Sequence, residues 1–214
     1  LDLAGRLGET PIRLASGPVG FAWPGNLDAR AVDVALGSAD SASKFRISHL
    51  AARLGTELSG QFKGAQVLLA AVPLDLEDVS GNWRYSGGAL RLTDGALRVE
   101  DREPIAKFQP LIARDATLSL VDNRIEAQAL LREPGSDREV VRTLIRHDLG
   151  TGSGDADLFV DNLVFDNALQ PDTLTRLALG VVANARGKVQ GAGKIAWNDA
   201  GVTSTGRFST ENFD

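Results

Sequence analysis

What most limits the folds open to this chain is an apolar alternation of period two that recurs along almost its whole length, broken by short clusters of Gly, Asn and Asp. Successive strand side chains point to opposite faces, so this pattern specifies half-buried β-strands separated by turns. In "DVSGNWRYSGGALRLTDGALRVED", Trp83 and Tyr85 share a face, "SGG" punctuates, and Leu90 and Leu92 follow before "TDG" reads as a turn into Leu97 and Val99. In "ATLSLVDNRIEAQALL", Leu118 and Leu120 lead through "VDN" to Ile125, Ala127, Ala129 and Leu131 on one face. Sequential strands usually pair, which makes consecutive antiparallel hairpins the simplest topology.

"LDLAGRLG", "ARAVDVALG" and "KFRISHLAARLGTELSGQFKGAQVLL" read as further strands, the second also admitting a helical turn. The best helix candidate is "QPDTLTRLALGVV", where Pro171 and Asp172 suit a start and Leu174, Leu177 and Val181 recur at helical spacing. Ile105, Phe108 and Ile112 also have that spacing, but Pro110 would lie inside the helix, so this stretch reads as extended or irregular. No low-complexity linker divides the chain. Residues 1–214 therefore read as one continuous sheet system with one or two short helices.

The last hairpin, "GKVQGAGKIAWNDAGVTSTGRFST", places Val189, Gly191, Gly193, Ile195 and Trp197 on one side, and Val202, Ser204, Gly206 and Phe208 together after the turn. Glycine within a strand costs roughly 0.5 to 1 kcal/mol relative to alanine, so glycines repeated on an apolar face need a reason.

Composition removes several classes of function. With 23 Lys and Arg against 28 Asp and Glu, interspersed, the net charge of -5 argues against a nucleic-acid groove. Cysteine is absent, which excludes disulfides and thiolate metal centres. Methionine is absent too, even at position 1, so the chain reads as a segment of a longer protein whose signal or anchor lies elsewhere. No run approaches the ~20 apolar residues that cross a bilayer.

Catalytic and metal motifs match poorly. "GTGSGDADLFVD" offers Asp155, Asp157 and Asp161 as oxygen ligands but lacks the tandem register of a calcium-binding glycine-aspartate repeat; it reads as a turn and a strand with outward carboxylates. "GVVANARGKV" has Val189 where a phosphate loop holds Ser or Thr. "SASK", Ser41 to Lys44, lacks the companion motifs of acyl-enzyme serines and reads as a surface loop. His49 and His147 sit in strand-like sequence, as satisfied or solvent-facing residues. The reading is of a protein that is not an enzyme and needs no cofactor or metal.

From "HDLGTGSGDADL" at His147, through "LVF" and "LQPDTLTRLALGVVANARGKVQGAGKIAWNDAGVTSTGRFS", the sequence resembles the C-terminal domain of YdbH-like proteins, which belong with the AsmA-like and TamB-like proteins of the Gram-negative envelope. The glycine spacing, "IAW" and "STGRFS" carry the likeness, which is best over 147–214. It implies a long antiparallel sheet curled into an open hydrophobic groove, a β-taco, in the periplasm. It further implies an N-terminal inner-membrane anchor, a small outer-membrane lipoprotein partner at the C-terminal end, and lipid carried between the two membranes.

A single acyl chain of ~16 carbons costs on the order of 12 kcal/mol to expose to water, so a conduit must be continuously apolar and open on one side for the headgroup. On this reading Val189, Ile195, Trp197, Val202 and Phe208 line the groove, with Leu158 and Val160, and with Leu118, Leu120, Ile125 and Leu131. Gly191, Gly193 and Gly206 widen it, while Leu163 and Phe165, beyond a break in the alternation, are open to either face. Phospholipid or another two-chain lipid is the cargo. Two alternatives stand beside this: the same residues filling a β-sandwich core, the commoner fate of alternating strands, and a scaffold that binds a partner by strand addition without cargo.

Overall fold

The computed structural model describes residues 1–37, 42–69, 72–179, 182 and 184–212; Ser41 of "SASK" and Val181 of the helix candidate lie outside them. Fourteen strands form one sheet: β1 (Asp2–Leu7), β2 (Thr10–Ser16), β3 (Val19–Ala22), β4 (Asn26–Leu36), β5 (Ser43–Arg53), β6 (Leu58–Leu68), β7 (Leu74–Ser86), β8 (Ala89–Asp101), β9 (Leu111–Val121), β10 (Arg124–Arg132), β11 (Glu139–Asp148), β12 (Gly154–Phe165), β13 (Gly187–Asn198) and β14 (Gly201–Glu211). Neighbours pair antiparallel in chain order, except that β3 continues the line of β2 along β4. The result is the curled antiparallel half-barrel of the expected β-taco, with almost no helix.

Two local readings change and one is upheld. "TDG" is not a turn but lies inside β8. As expected, "ARAVDVALG" and "KFRISHLAARLGTELSGQFKGAQVLL" are strands, β4 and then β5 and β6 joined by a turn over 54–57, and the first holds no helical turn. "QPDTLTRLALGVV" forms two single 3-10 turns, Pro171–Thr173 and Arg176–Ala178, instead of one longer helix. Hydrogen bonds to another loop interrupt it: Gln109 N–H donates to the Leu174 carbonyl at 2.9 Å, and the Thr175 hydroxyl donates to the Lys107 carbonyl.

Cross-strand partners share a face, so the register carries one face through the sheet. From Val189, Ile195 and Trp197 it passes through Leu158 and Ala156 of β12, Thr143 and Ile145 of β11, and Ala129 and Ala127 of β10. It continues to Leu118 and Leu120 of β9, Leu90 and Leu92 of β8, and Trp83 and Tyr85 of β7. The opposite face carries Arg84, Arg91, Glu126, Arg142, Arg146, Asp155, Asp157 and Lys194.

Several strands keep this segregation by carrying one extra residue in mid-strand. Ala31, Gly64, Asp78, Asp94 and Asp115 all have φ between 50° and 62°, and register shifts flank the last four. Such bulges bend a strand and increase its twist. They also change the parity of the alternation: Leu90 and Leu92 precede Asp94, Leu97 and Val99 follow it, and all four stay on one face. The Asp161/Asn162 break does the same in β12 and keeps Leu163 and Phe165 on the apolar face.

The curl brings distant strands together. Leu36 at the end of β4 packs with Leu120 of β9 and Leu149 of the β11–β12 turn, with Phe45 and Leu90 against them. At the same place a Cβ on Gly8 would lie 3.4 Å from the Gly88 carbonyl and 3.5 Å from an Asp122 oxygen, so the β1–β2 turn touches two other turns. A second buried group, Val32, Ile47, Ala65, Val67 and Val79, lies on the same face of β4 to β7. The apolar face is thus the inside of the curl, and over its first part the protein's own side chains fill it.

Candidate functional site

The sequence-predicted groove residues all reach this one face, in differing states. Leu120 is 2% exposed and taken up by the contact with Leu36 and Leu149, with Leu118 and Ile125 packed against that cluster. Val160 and Val189 border a third cluster, in which Leu169 and Ala185 of the β12–β13 connection cover Leu163 and Phe165. Gln170 fastens the connection: its side-chain amide donates to the Ala185 carbonyl at 3.0 Å and its oxygen accepts from Ala185 N–H at 2.9 Å. Leu131, Leu158 and Ile195 are half-buried. On the last strand Val202 and Phe208 are open to solvent, 53% and 56% exposed.

The glycines have a more specific role than leaving room. A Cβ on Gly191 would fall 2.6 Å from Phe208 Cδ1, one on Gly206 3.0 Å from Cε2, and one on Gly193 3.9 Å from Cζ. The Phe208 ring lies over all three glycines, so the space expected to widen a groove seats an aromatic ring. Trp197 is seated the same way: a Cβ on Gly154 would come within 2.5 Å of its Cζ2. The indole is 9% exposed, and its N–H donates to His147 Nδ1 at 3.2 Å.

Sequence reading missed Ile145 and His147, which the register sets beside Ala127 and Ile125 and opposite Ala156 and Gly154. The signal was present in "VVRTLIRHD", where Val141, Thr143, Ile145 and His147 alternate with Arg142, Leu144 and Arg146.

The outer face has a different chemistry. Arg146 bonds Asp155 at 2.9 Å and Asp157 at 3.0 Å, while Lys194 reaches Asp155 at 2.8 Å, tying β11, β12 and β13 together. The Lys194 hydrogen bond holds the Asp155 carboxyl below its usual range, against the upward push of burial and with help from Arg146. Asp161 pairs with Arg142 at 3.3 Å. The carboxylates of "GDADLFVD" therefore face cations of the sheet, as outward strand positions do. His49 likewise pairs with Asp28. One recess, of about 1140 Å³, is lined mainly by this polar side, including Arg53, Arg84, Arg91, Gln61 and Asn82, with Phe21, Leu27 and Trp83 at its wall. A smaller one of about 480 Å³ shares Arg91 and continues to Glu126 and Arg146. Burying acyl chain among those charges would desolvate them, a cost that the inner face of β10 to β14, free of Asp, Glu, Lys and Arg, does not impose.

A curled antiparallel sheet with an apolar inner face and a charged outer one has the form of a groove-forming protein. The family described as YdbH-like, intermembrane phospholipid transport protein YdbH, matches residues 1–214, and the chain belongs to that family. No curated protein and no solved structure matches it. The likeness seen over 147–214 thus extends over the whole chain, and the family's described activity is intermembrane phospholipid transport. No helix among the described residues is long and apolar enough to cross a membrane.

Proposed function

We propose that this chain holds the acyl chains of a phospholipid, or of a similar two-chain lipid, on the inner face of β10 to β14 while the headgroup stays in water. One observation carries the reading: from β9 to β14, bulges included, the register keeps Asp, Glu, Lys and Arg off the inner face, while the outer face mixes those charges with Leu130, Leu144 and Phe159. An ordinary core needs apolar residues only where it closes. Here the segregation continues into β14, where Val202 and Phe208 have no layer above them. The chain acts by contact and shape, without catalysis, in the periplasm as part of a protein anchored in the inner membrane. A small outer-membrane lipoprotein is its partner at the C-terminal end.

The edges of the sheet favour a second reading. β14 pairs only with β13, and all its described residues are exposed, so its outer side offers backbone groups for strand addition. A scaffold recruiting a partner there would need no cargo. Ile195→Asp separates the two, because it charges the apolar face and leaves the β14 edge alone. The expected result is a several-fold loss of co-purifying lipid, read by mass spectrometry, with partner binding retained. Unchanged lipid occupancy would remove Ile195 from the groove, and a wild-type chain that binds the partner but brings no lipid with it would favour the scaffold.

A further inference from the structure

Between β9 and β14, His147 is the one ionisable side chain that the register sets on the apolar face among the described residues. It stands between Ile125 and Gly154, with the Trp197 ring centroid 5.9 Å from its own. Its Nδ1 has two neighbours, Trp197 Nε1 at 3.2 Å and the Ser153 carbonyl oxygen at 3.0 Å. They make opposite demands. An indole N–H only donates, so Nδ1 must be bare to receive it; a carbonyl only accepts, so Nδ1 must carry a proton to reach it.

Two observations decide between them. The Ser153 carbonyl already accepts from Asp148 N–H at 2.8 Å, whereas the indole N–H has no other acceptor. A buried donor left unpaired costs more than a carbonyl left with one bond instead of two. Burial also pushes the imidazole pKa down, against the upward pull of the Ser153 carbonyl and Asp148, which favours a neutral ring at neutral pH. With Nδ1 accepting from Trp197, the proton sits on Nε2. That atom makes no protein hydrogen bond and is not fully buried, so its proton is left for an acceptor outside the protein.

We propose that His147, fixed by Trp197 with its proton on Nε2, donates a hydrogen bond to an ester carbonyl oxygen of a lipid whose chains lie on the inner face. This rests on the lipid-carrying reading above. The ester carbonyl is the acceptor found where hydrocarbon gives way to headgroup, so one neutral donor on an apolar wall is matched to it and sets how far the lipid lies along the face. A phosphate oxygen is more strongly hydrated and stays with the solvent.

The test offers the protein vesicles holding equal amounts of a diacyl ester phosphatidylethanolamine and the dialkyl ether phosphatidylethanolamine of the same chain length, with protein-bound lipid counted by mass spectrometry. The wild type is expected to enrich the ester form roughly three- to tenfold, the worth of one neutral hydrogen bond. His147→Leu should take the two in equal proportion, and His147→Gln, which keeps a donor, should restore part of the preference. Equal uptake by the wild type, or a preference that survives in His147→Leu, overturns the proposal and leaves lipid carriage standing. Uptake of neither lipid overturns both. Imidazole nitrogen shifts at neutral pH give an independent reading: the proton should be found on Nε2, and a proton on Nδ1 overturns the assignment.

Discussion

At the scale of single residues, aromatic rings and glycines are placed as pairs: Trp197 on Gly154, and Phe208 on Gly191, Gly193 and Gly206. Gly154 and Gly206 differ in what an added methyl would strike. A Cβ on Gly154 meets the Arg146 carbonyl at 2.4 Å as well as the indole, and both β11 and β13 hold β12 in place. Gly154→Ala should therefore cost about 1–3 kcal/mol in urea unfolding, as other overpacked sites do. On Gly206 the closest atom, at 3.0 Å, is the far edge of the Phe208 ring, which can move into solvent. Gly206→Ala should then cost under about 1 kcal/mol, and equal losses in the two variants would contradict the seating. The alternation of "VQGAGKIAW" places Gly191 and Gly193 on the apolar face from sequence alone. It does not reveal that Phe208 covers them, because a ring's direction across a hairpin is fixed by register and rotamer and leaves no mark in strand periodicity.

At the scale of elements, the bulges explain both what was legible and what was not. "TDG" reads as a turn because Asp and Gly suit left-handed backbone in either setting, and Asp94 does take φ 53°. The distinguishing sign is the parity change, even-numbered leucines before Asp94 and odd-numbered apolar residues after it. A hairpin turn can produce that change as well, so the topology had to decide. The "VDN" turn was readable because Asp122 and Asn123 are both left-handed, the signature of a tight hairpin. Deleting Asp94 should rotate Leu97 and Val99 to the charged face, since a one-residue slip inverts every later position. The expected outcome is loss of soluble folded protein, measured by circular dichroism and solubility, whereas Asp94→Gly should keep the fold. A folded deletion variant would mean that the bulge is dispensable. The 171–178 segment shows the opposite limit: its helical spacing is real, but the bonds to Lys107 and Gln109 outweigh a weak local propensity.

Across the whole molecule, sandwich core and open groove turn out to be regional properties of one surface. The inner face is self-packed where Leu36 meets Leu120, roofed where Leu169 and Ala185 lie over Phe165, and open along β14. No strand pattern distinguishes these regions, because each needs the same alternation; contact between the ends of nonadjacent strands does. The unpaired borders of the sheet carry a practical consequence. β14 has regular alternation, no proline and one basic residue, Arg207, among its eleven, so it carries little of the charge and irregularity that usually deter edge-to-edge stacking. Sedimentation velocity of this chain should accordingly show a mass that rises with concentration, and a Phe208→Lys variant should remain closer to monomer. In handling terms, dilution is the condition under which this stretch of sheet has the best chance of meeting its proper neighbour before it meets itself.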